Sequence, residues 1–240
     1  MNPCRIAAVL ALAAMAPAQT DEEQVKPLLV MITAQWDDSR EDPTQNGAGI
    51  IVGHSSDRLY IATANHVVRK GARAAKRVEA EMTWLPGEPK LATITPRHFD
   101  ANLDIAVLIL SNASSLAVPR LPFDRLGDST KLARRDIVRA MGYPWYVSPL
   151  DDRVSTLNNE AVRFASTSVR MGYSGGALFN DKWEIVGIMR TDQPPEGEAV
   201  RMDRVIEKLK EWGYPVQLGA GVKVTLVPPP KVEVEPVAGQ

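Results

Sequence analysis

The 240-residue chain carries 28 basic and 29 acidic side chains with no long block of one sign, so its electrostatics argue against nucleic acid as a partner. Its single cysteine, Cys4, lies within the first 18 residues. The remainder therefore excludes a cysteine nucleophile, a disulfide framework and cysteine-ligated zinc. Eighteen prolines and sixteen glycines spread through the chain suit a turn-rich, all-β protein.

Residues 1–18 read as a signal peptide, with Arg5 as a positive start, Ile6 to Met15 as a short apolar stretch and Ala16-Pro17-Ala18 as a cleavage signal. This predicts export to the periplasm or the extracellular space. Neither this stretch nor any later one approaches the ~20 apolar residues of a spanning helix, so no membrane span is expected. Leu28 to Ala34 predicts a first strand, followed by a polar loop from Asp37 to Asn46. Gly47 to Val52 and Leu59 to Ala64 predict a hairpin around the turn at His54 to Asp57. The basic run from Arg69 to Arg77 reads as a solvated loop. Further strands are predicted at Val78 to Leu85, Leu91 to Thr95, Ile105 to Leu110, Ile137 to Met141, Ala161 to Ser168, Ala177 to Phe179 and Ile185 to Met189. Many short strands with frequent turns indicate a sandwich or a pair of barrels. One helix, Asp203 to Trp212, places Val205, Ile206, Leu209 and Trp212 at helical spacing before Gly213 stops it. Pro228-Pro229-Pro230 and the residues around it read as an extended tail.

Three segments carry chemistry. Gly172-Tyr173-Ser174-Gly175-Gly176 sets a serine between glycines that allow a tight, exposed turn. His66 directly follows an apolar strand, and Asp104 directly precedes one. A serine hydroxyl is a poor nucleophile at neutral pH and needs a base. Histidine titrates in the right range, and a carboxylate fixes its tautomer and supports its positive form. Among the competing groups, His54 and His98 read as surface histidines and Asp100 as a loop carboxylate. No histidine pair has i, i+4 spacing, so a metal site is not expected, and no cofactor is called for.

Thr63-Ala64-Asn65-His66, Asp104-Ile105-Ala106-Val107-Leu108 and Gly172-Tyr173-Ser174-Gly175-Gly176-Ala177-Leu178 resemble the three active-site blocks of the chymotrypsin-like (trypsin-fold) serine proteases. The intervals agree, with 38 residues from histidine to aspartate and 70 from aspartate to serine. Gly47 to Ile51, Leu126-Gly127-Asp128-Ser129, Met141-Gly142-Tyr143-Pro144 and Trp183 to Ile188 extend the likeness toward the bacterial Deg-type, high-temperature-requirement branch. The resemblance implies two six-stranded antiparallel β-barrels with a C-terminal helix, over a protease domain at 25–215 and ahead of a Pro-rich tail at 216–240, without a PDZ-like module. It further implies polypeptide substrates, with Ser174 as nucleophile, His66 as base and then acid, and Asp104 as its orienter. The backbone N–H groups of Gly172 and Ser174 would form the oxyanion hole.

The pattern departs from the family in places. Tyr173 stands where aspartate or asparagine is usual, and a phenol is expected at the mouth of the groove. Ser168 matches the base of the specificity pocket, where a neutral side chain disfavours Lys or Arg substrates. Met189 and Arg190 fall on the strand that pairs with substrate. Arg190 is expected to face solvent or, as the other option, to favour acidic side chains. The leading expectation is a serine endopeptidase; the alternative is an inactive protease fold used for binding. An α/β-hydrolase esterase is excluded because its order is serine, aspartate, histidine.

Overall fold

The computed structural model describes residues 21–37, 44–142, 151–167, 169–191 and 195–219. The expected signal peptide, Ser168 and the Pro-rich stretch lie outside the described residues.

A short helix α1 (Asp21–Val25) and a 3-10 turn lead into β1 (Leu29–Gln35), β2 (Thr44–His54) and β3 (Arg58–Ala64). One helical turn, α2 (Asn65–Val68), is followed by the two-residue strands β4 (Arg69–Lys70) and β5 (Arg73–Ala74), then β6 (Arg77–Met82), β7 (Lys90–Asp100) and β8 (Ile105–Ser111). The second half holds β9 (Ile137–Met141), β10 (Asp152–Leu157), β11 (Ala161–Ala165), β12 (Ala177–Asn180), β13 (Ile185–Thr191), β14 (Glu196–Arg201) and α3 (Met202–Glu211). Hydrogen bonding closes two antiparallel barrels of six strands each, in the orders β1-β2-β3-β8-β7-β6 and β10-β11-β14-β13-β12-β9. The predicted barrel pair with a C-terminal helix is the observed architecture.

Alternation along the strands builds the cores. In β6, Val78, Ala80 and Met82 are buried while the residues between them are not. In β12 and β13, Leu178, Val186 and Met189 turn into the second barrel. Their neighbours Ala177, Phe179, Ile185 and Ile188 join the apolar cluster shared with the first barrel and with Met202, Val205 and Leu209 of α3. The second barrel thus buries one strand face inside itself and part of the other against its neighbour. That packing fixes the groove between the barrels.

The strands β10 and β14 lie outside the sequence expectation. Their sequences, DRVSTL and EGEAVR, are half charged or polar, with Asp152 itself buried, and the apolar face is marked by Val154, Leu157, Ala199 and Val200 without a continuous apolar run. Strand β7 runs well past the predicted Thr95; its pairing with β8 is irregular between Ile94 and Phe99, an interval holding Pro96, which lacks a ladder donor.

The chain after α3 returns to the first barrel. Val52, at the irregularity in β2 between Ile51 and Gly53, accepts from the backbone N–H of Gln217 (2.8 Å) and Leu218 (3.1 Å). Glycine is required beside it, because a Cβ on Gly53 would lie 2.0 Å from the Pro215 carbonyl oxygen. Val216 and Leu218 are buried. The folded unit therefore extends through Gly219, and the boundary expected at residue 215 falls too early. The hydrophobic and hydrogen-bonding partners of 216–219 lie on another barrel, out of view of local sequence.

Candidate active site

The site assembles at strand ends. Strand β3 pairs with β8 so that Ala64 stands opposite Ile105. That register sets Asp104, the residue before β8, beside the start of α2. The Asn65 N–H donates to the Asp104 carbonyl at 3.0 Å. Asp104 has a left-handed backbone, φ 57°, in a tight turn that Asp100 ties together by accepting from the N–H groups of Asn102 and Leu103, both at 2.9 Å. Asp100 is thus a loop-capping carboxylate, as expected.

Both oxygens of the Asp104 carboxylate address His66. Oδ1 accepts the His66 backbone N–H at 2.9 Å, and Oδ2 lies 2.6 Å from the imidazole Nδ1. A carboxylate can only accept, so Nδ1 carries the proton and the neutral ring presents a lone pair at Nε2. The Asp104 side chain is 13% exposed and that of His66 is 40% exposed. The carboxylate is sheltered while the imidazole opens to solvent on its far side.

The turn bearing Ser174 comes from the second barrel and is seated against β2 and β3. Gly172 and Gly175 have φ 102° and 82°, which tighten the turn between β11 and β12. The Gly175 N–H donates to the Met189 carbonyl at 2.7 Å, the Met189 N–H to the Gly176 carbonyl at 2.8 Å, and the Gly176 N–H to the Tyr173 carbonyl at 2.9 Å. The Ser174 carbonyl accepts the Ala48 N–H of β2 at 2.8 Å. A Cβ on Gly175 would lie 2.1 Å from the Ala48 oxygen, 2.4 Å from Thr63 Oγ1 and 3.0 Å from the Ala64 nitrogen. The turn therefore rests directly on Ala48 of β2 and the end of β3, two residues from His66, and only a glycine fits the seat. Ser174 itself is 4% exposed. Gly142, just after β9, plays a similar part below: a Cβ there would lie 2.4 Å from Tyr173 Cα and 2.9 Å from the Gly172 carbonyl oxygen. The amide groups of Gly172 and Ser174 thus belong to a turn clamped from two sides. Asn65 Oδ1, next to His66, is buried with no partner among the described residues.

Several expectations are corrected. Tyr173 does not stand at the groove mouth. It is fully buried, in the second-barrel core with Phe164, Leu178 and Met189. The glycine on one side and the turn on the other rotate position 173 toward the barrel interior. Its hydroxyl has no partner among the described residues, and burial pushes its pKa up, with Asp152 adding to and Arg170 opposing the shift. Met189 faces the same core, so its side chain supports the serine turn from beneath. Arg190 neither faces solvent freely nor offers an unpaired charge: it occupies the irregularity between Met189 and Thr191, and its Nη1 lies 3.3 Å from Glu198 Oε1. Glu198 also accepts from Arg163 Nε at 2.5 Å. His98 is no surface histidine; it stacks on Trp212 and its Nδ1 lies 2.6 Å from the Tyr214 hydroxyl, with burial lowering its pKa. His54 is exposed, against Phe123. Met171, three residues before Ser174, is 88% exposed, an apolar side chain beside the site that its neighbours in sequence do not single out.

Among the described residues, no group of three His, Cys, Asp or Glu is placed to hold a metal, and no helix is long and apolar enough to cross a membrane.

Comparison with known proteins follows the same lines. The sequence profile of the trypsin-like peptidase domain matches residues 47–188. Over 187 residues the chain is 30% identical to the periplasmic pH-dependent serine endoprotease DegQ of Escherichia coli strain K12, covering 68% of this chain and 36% of that protein. Over 160 residues it is 32% identical to a probable periplasmic DegP-like serine endoprotease of Pseudomonas putida strain GB-1, covering 63% of this chain and 30% of that one. The chain thus spans about a third of the length of these curated relatives. The fold is similar to that of the HtrA-type protease AlgW solved with a tripeptide, at TM-score 0.61 and 18% identity over 80% of this chain and 62% of that chain.

Proposed function

The chain belongs to the trypsin-like peptidase family, in its Deg/HtrA-type branch, and from this we infer that it is a serine endopeptidase cleaving polypeptides through Ser174, His66 and Asp104. The observation that carries the reading is the two-point grip of Asp104 on His66, on the strand ends where the Ser174 turn is seated. With Nδ1–H held by Asp104, Nε2 accepts the proton of Ser174 Oγ as that oxygen attacks the scissile carbonyl. The developing alkoxide is met by the N–H groups of Gly172 and Ser174. The imidazolium then protonates the leaving amine as the C–N bond breaks, leaving an acyl ester on Ser174. Water, deprotonated by His66, releases the acid. Neither metal nor cofactor takes part in this sequence of steps.

The relatives named as periplasmic and the leader-like residues 1–18 support export to the periplasm, with the leader removed. Labelling with a fluorophosphonate probe tests the enzyme reading. Wild type should label at Ser174 and cleave an unfolded protein, and Ser174→Ala should do neither. A folded wild-type sample that takes no label turns the reading to the inactive binding fold.

A further inference from the structure

Ala48 joins the first barrel to the serine turn, and its two backbone groups have different partners. The ladder between β2 and β3 begins at Gly49 opposite Thr63, so Ala48 lies one residue beyond it. Its N–H crosses to the serine turn and donates to the Ser174 carbonyl at 2.8 Å. Its carbonyl accepts the Thr63 hydroxyl at 2.7 Å. Thr63 and Ala48 are both fully buried. A buried carbonyl left without a donor costs free energy, so the hydroxyl holds Ala48 in place.

The same hydroxyl is also a surface against which the turn closes. Gly175, the residue after Ser174, lies so near Thr63 Oγ1 that a Cβ there would stand 2.4 Å from it. Threonine is β-branched, so χ1 is stiff and the oxygen is set firmly on β3. Further along the same chain stands His66, held by two bonds to the Asp104 carboxylate. One fully buried oxygen thus connects the strand that leads into His66 with the turn that carries Ser174. Thr63 is the one aliphatic hydroxyl in β3, whose other buried positions include Leu59, Ile61, Ala62 and Ala64. Valine would serve such a strand equally well as a β-former, so the hydroxyl needs a reason of its own.

We propose that Thr63 is a positioning residue: its hydroxyl, through the Ala48 carbonyl and the Gly175 backbone, sets where Ser174 stands relative to His66. The inference rests on the endopeptidase reading above. Removing the hydroxyl frees Ala48, and with it the donor to the Ser174 carbonyl. A misplacement of about 1 Å costs about a hundredfold in rate, so a partial shift lowers kcat by about ten- to hundredfold. The grip of Asp104 on His66 is untouched, so the pH midpoint of the reaction keeps its place while the plateau drops. KM changes little, because Thr63 is fully buried and meets no substrate.

Three variants test this. Thr63→Ala and Thr63→Val both lack the hydroxyl, the first leaving space and the second filling it, while Thr63→Ser keeps it. Each is labelled with a fluorophosphonate probe across a range of pH. The end point counts competent molecules, and the rate reads how well Ser174 is placed against His66. For Thr63→Ala and Thr63→Val the labelling rate and kcat should fall by about ten- to hundredfold, at a full end point and an unchanged pH midpoint. Thr63→Ser should stay close to wild type. A Thr63→Ala rate equal to wild type overturns the proposal, and so does a lower end point at an unchanged rate, which is loss of folded protein alone. A folded Thr63→Ser that fails to rescue the rate overturns it as well. Hydrogen exchange at the Ala48 amide, followed by NMR, needs no turnover. It should be about tenfold faster or more in Thr63→Ala than in wild type and Thr63→Ser, and equal exchange in all three overturns the proposal. A wild type that takes no label but shows this exchange pattern sinks the endopeptidase reading alone and supports the hold of Thr63 on the serine turn.

Discussion

Replacing Tyr173 by Phe removes one oxygen from the second-barrel core and nothing else. In the wild type that oxygen is buried without a partner among the described residues, in a side chain with no exposed surface. Desolvating a hydroxyl without compensation costs about 1–3 kcal/mol. The substitution leaves a void of roughly 10–15 Å³, which at about 24 cal/mol per Å³ costs about 0.3 kcal/mol. The balance favours Phe by about 1 kcal/mol or more, which for a domain of this size raises Tm by about 2–4 °C. A second signature follows from titration. Burial holds the folded phenol above its ordinary pKa of 10.0. Above that pH the unfolded chain releases this proton while the folded chain keeps it, so the unfolded state binds fewer protons and wild-type stability falls as pH rises. Tyr173→Phe should lose this contribution, giving a flatter alkaline limb in urea melts between about pH 9 and 11. Activity should be retained, since the side chain points away from Ser174. Destabilisation by more than about 1 kcal/mol would refute the reasoning, showing that the hydroxyl has a partner, with buried Asp152 the first to examine.

Other positions give sharp expectations. Asp104→Asn keeps the shape but removes the acceptor that fixes Nδ1–H, so kcat should fall by roughly 10³–10⁴ with little change in KM; near-wild-type kcat would mean His66 is oriented by something else. Gly175→Ala places a methyl 2.1 Å from the Ala48 oxygen at a φ of 82°, and should cost about 3 kcal/mol or more in stability by chemical melt. His98, held below its ordinary pKa by burial, binds fewer protons folded than unfolded. Its contribution is present above about pH 6.5 and is lost as pH falls below that value. His98→Gln, which still offers a partner to the Tyr214 hydroxyl, should flatten the acid limb of the stability profile. An unchanged limb would place the acid sensitivity elsewhere.

The three segments of the proposed triad stood out because each is local: a histidine ending one apolar strand, an aspartate opening another, a serine between glycines. Strands rich in β-branched residues, such as Ile185–Thr191, declared themselves in the same way. Strand Glu196–Arg201 did not, because Glu198 serves a cross-strand purpose, neutralising Arg190 and Arg163, that only pairing with β13 and β11 reveals. The direction of Tyr173 was hidden for a related reason. In a turn between two left-handed glycines, neighbouring side chains do not alternate as they do in a strand, so spacing carries no face information.

Residue chemistry and chain order were enough to name a serine, a histidine and an aspartate, their sequence along the chain, and an all-β scaffold to hold them. Those are properties of short segments and of what each side chain can do with a proton. Contact between the segments is a different matter. The barrel closures, the seating of Gly175 on Ala48 and Thr63, and the return of 215–219 to β2 all join residues far apart in sequence. Such contacts depend on register and packing summed over both barrels, which no local pattern encodes.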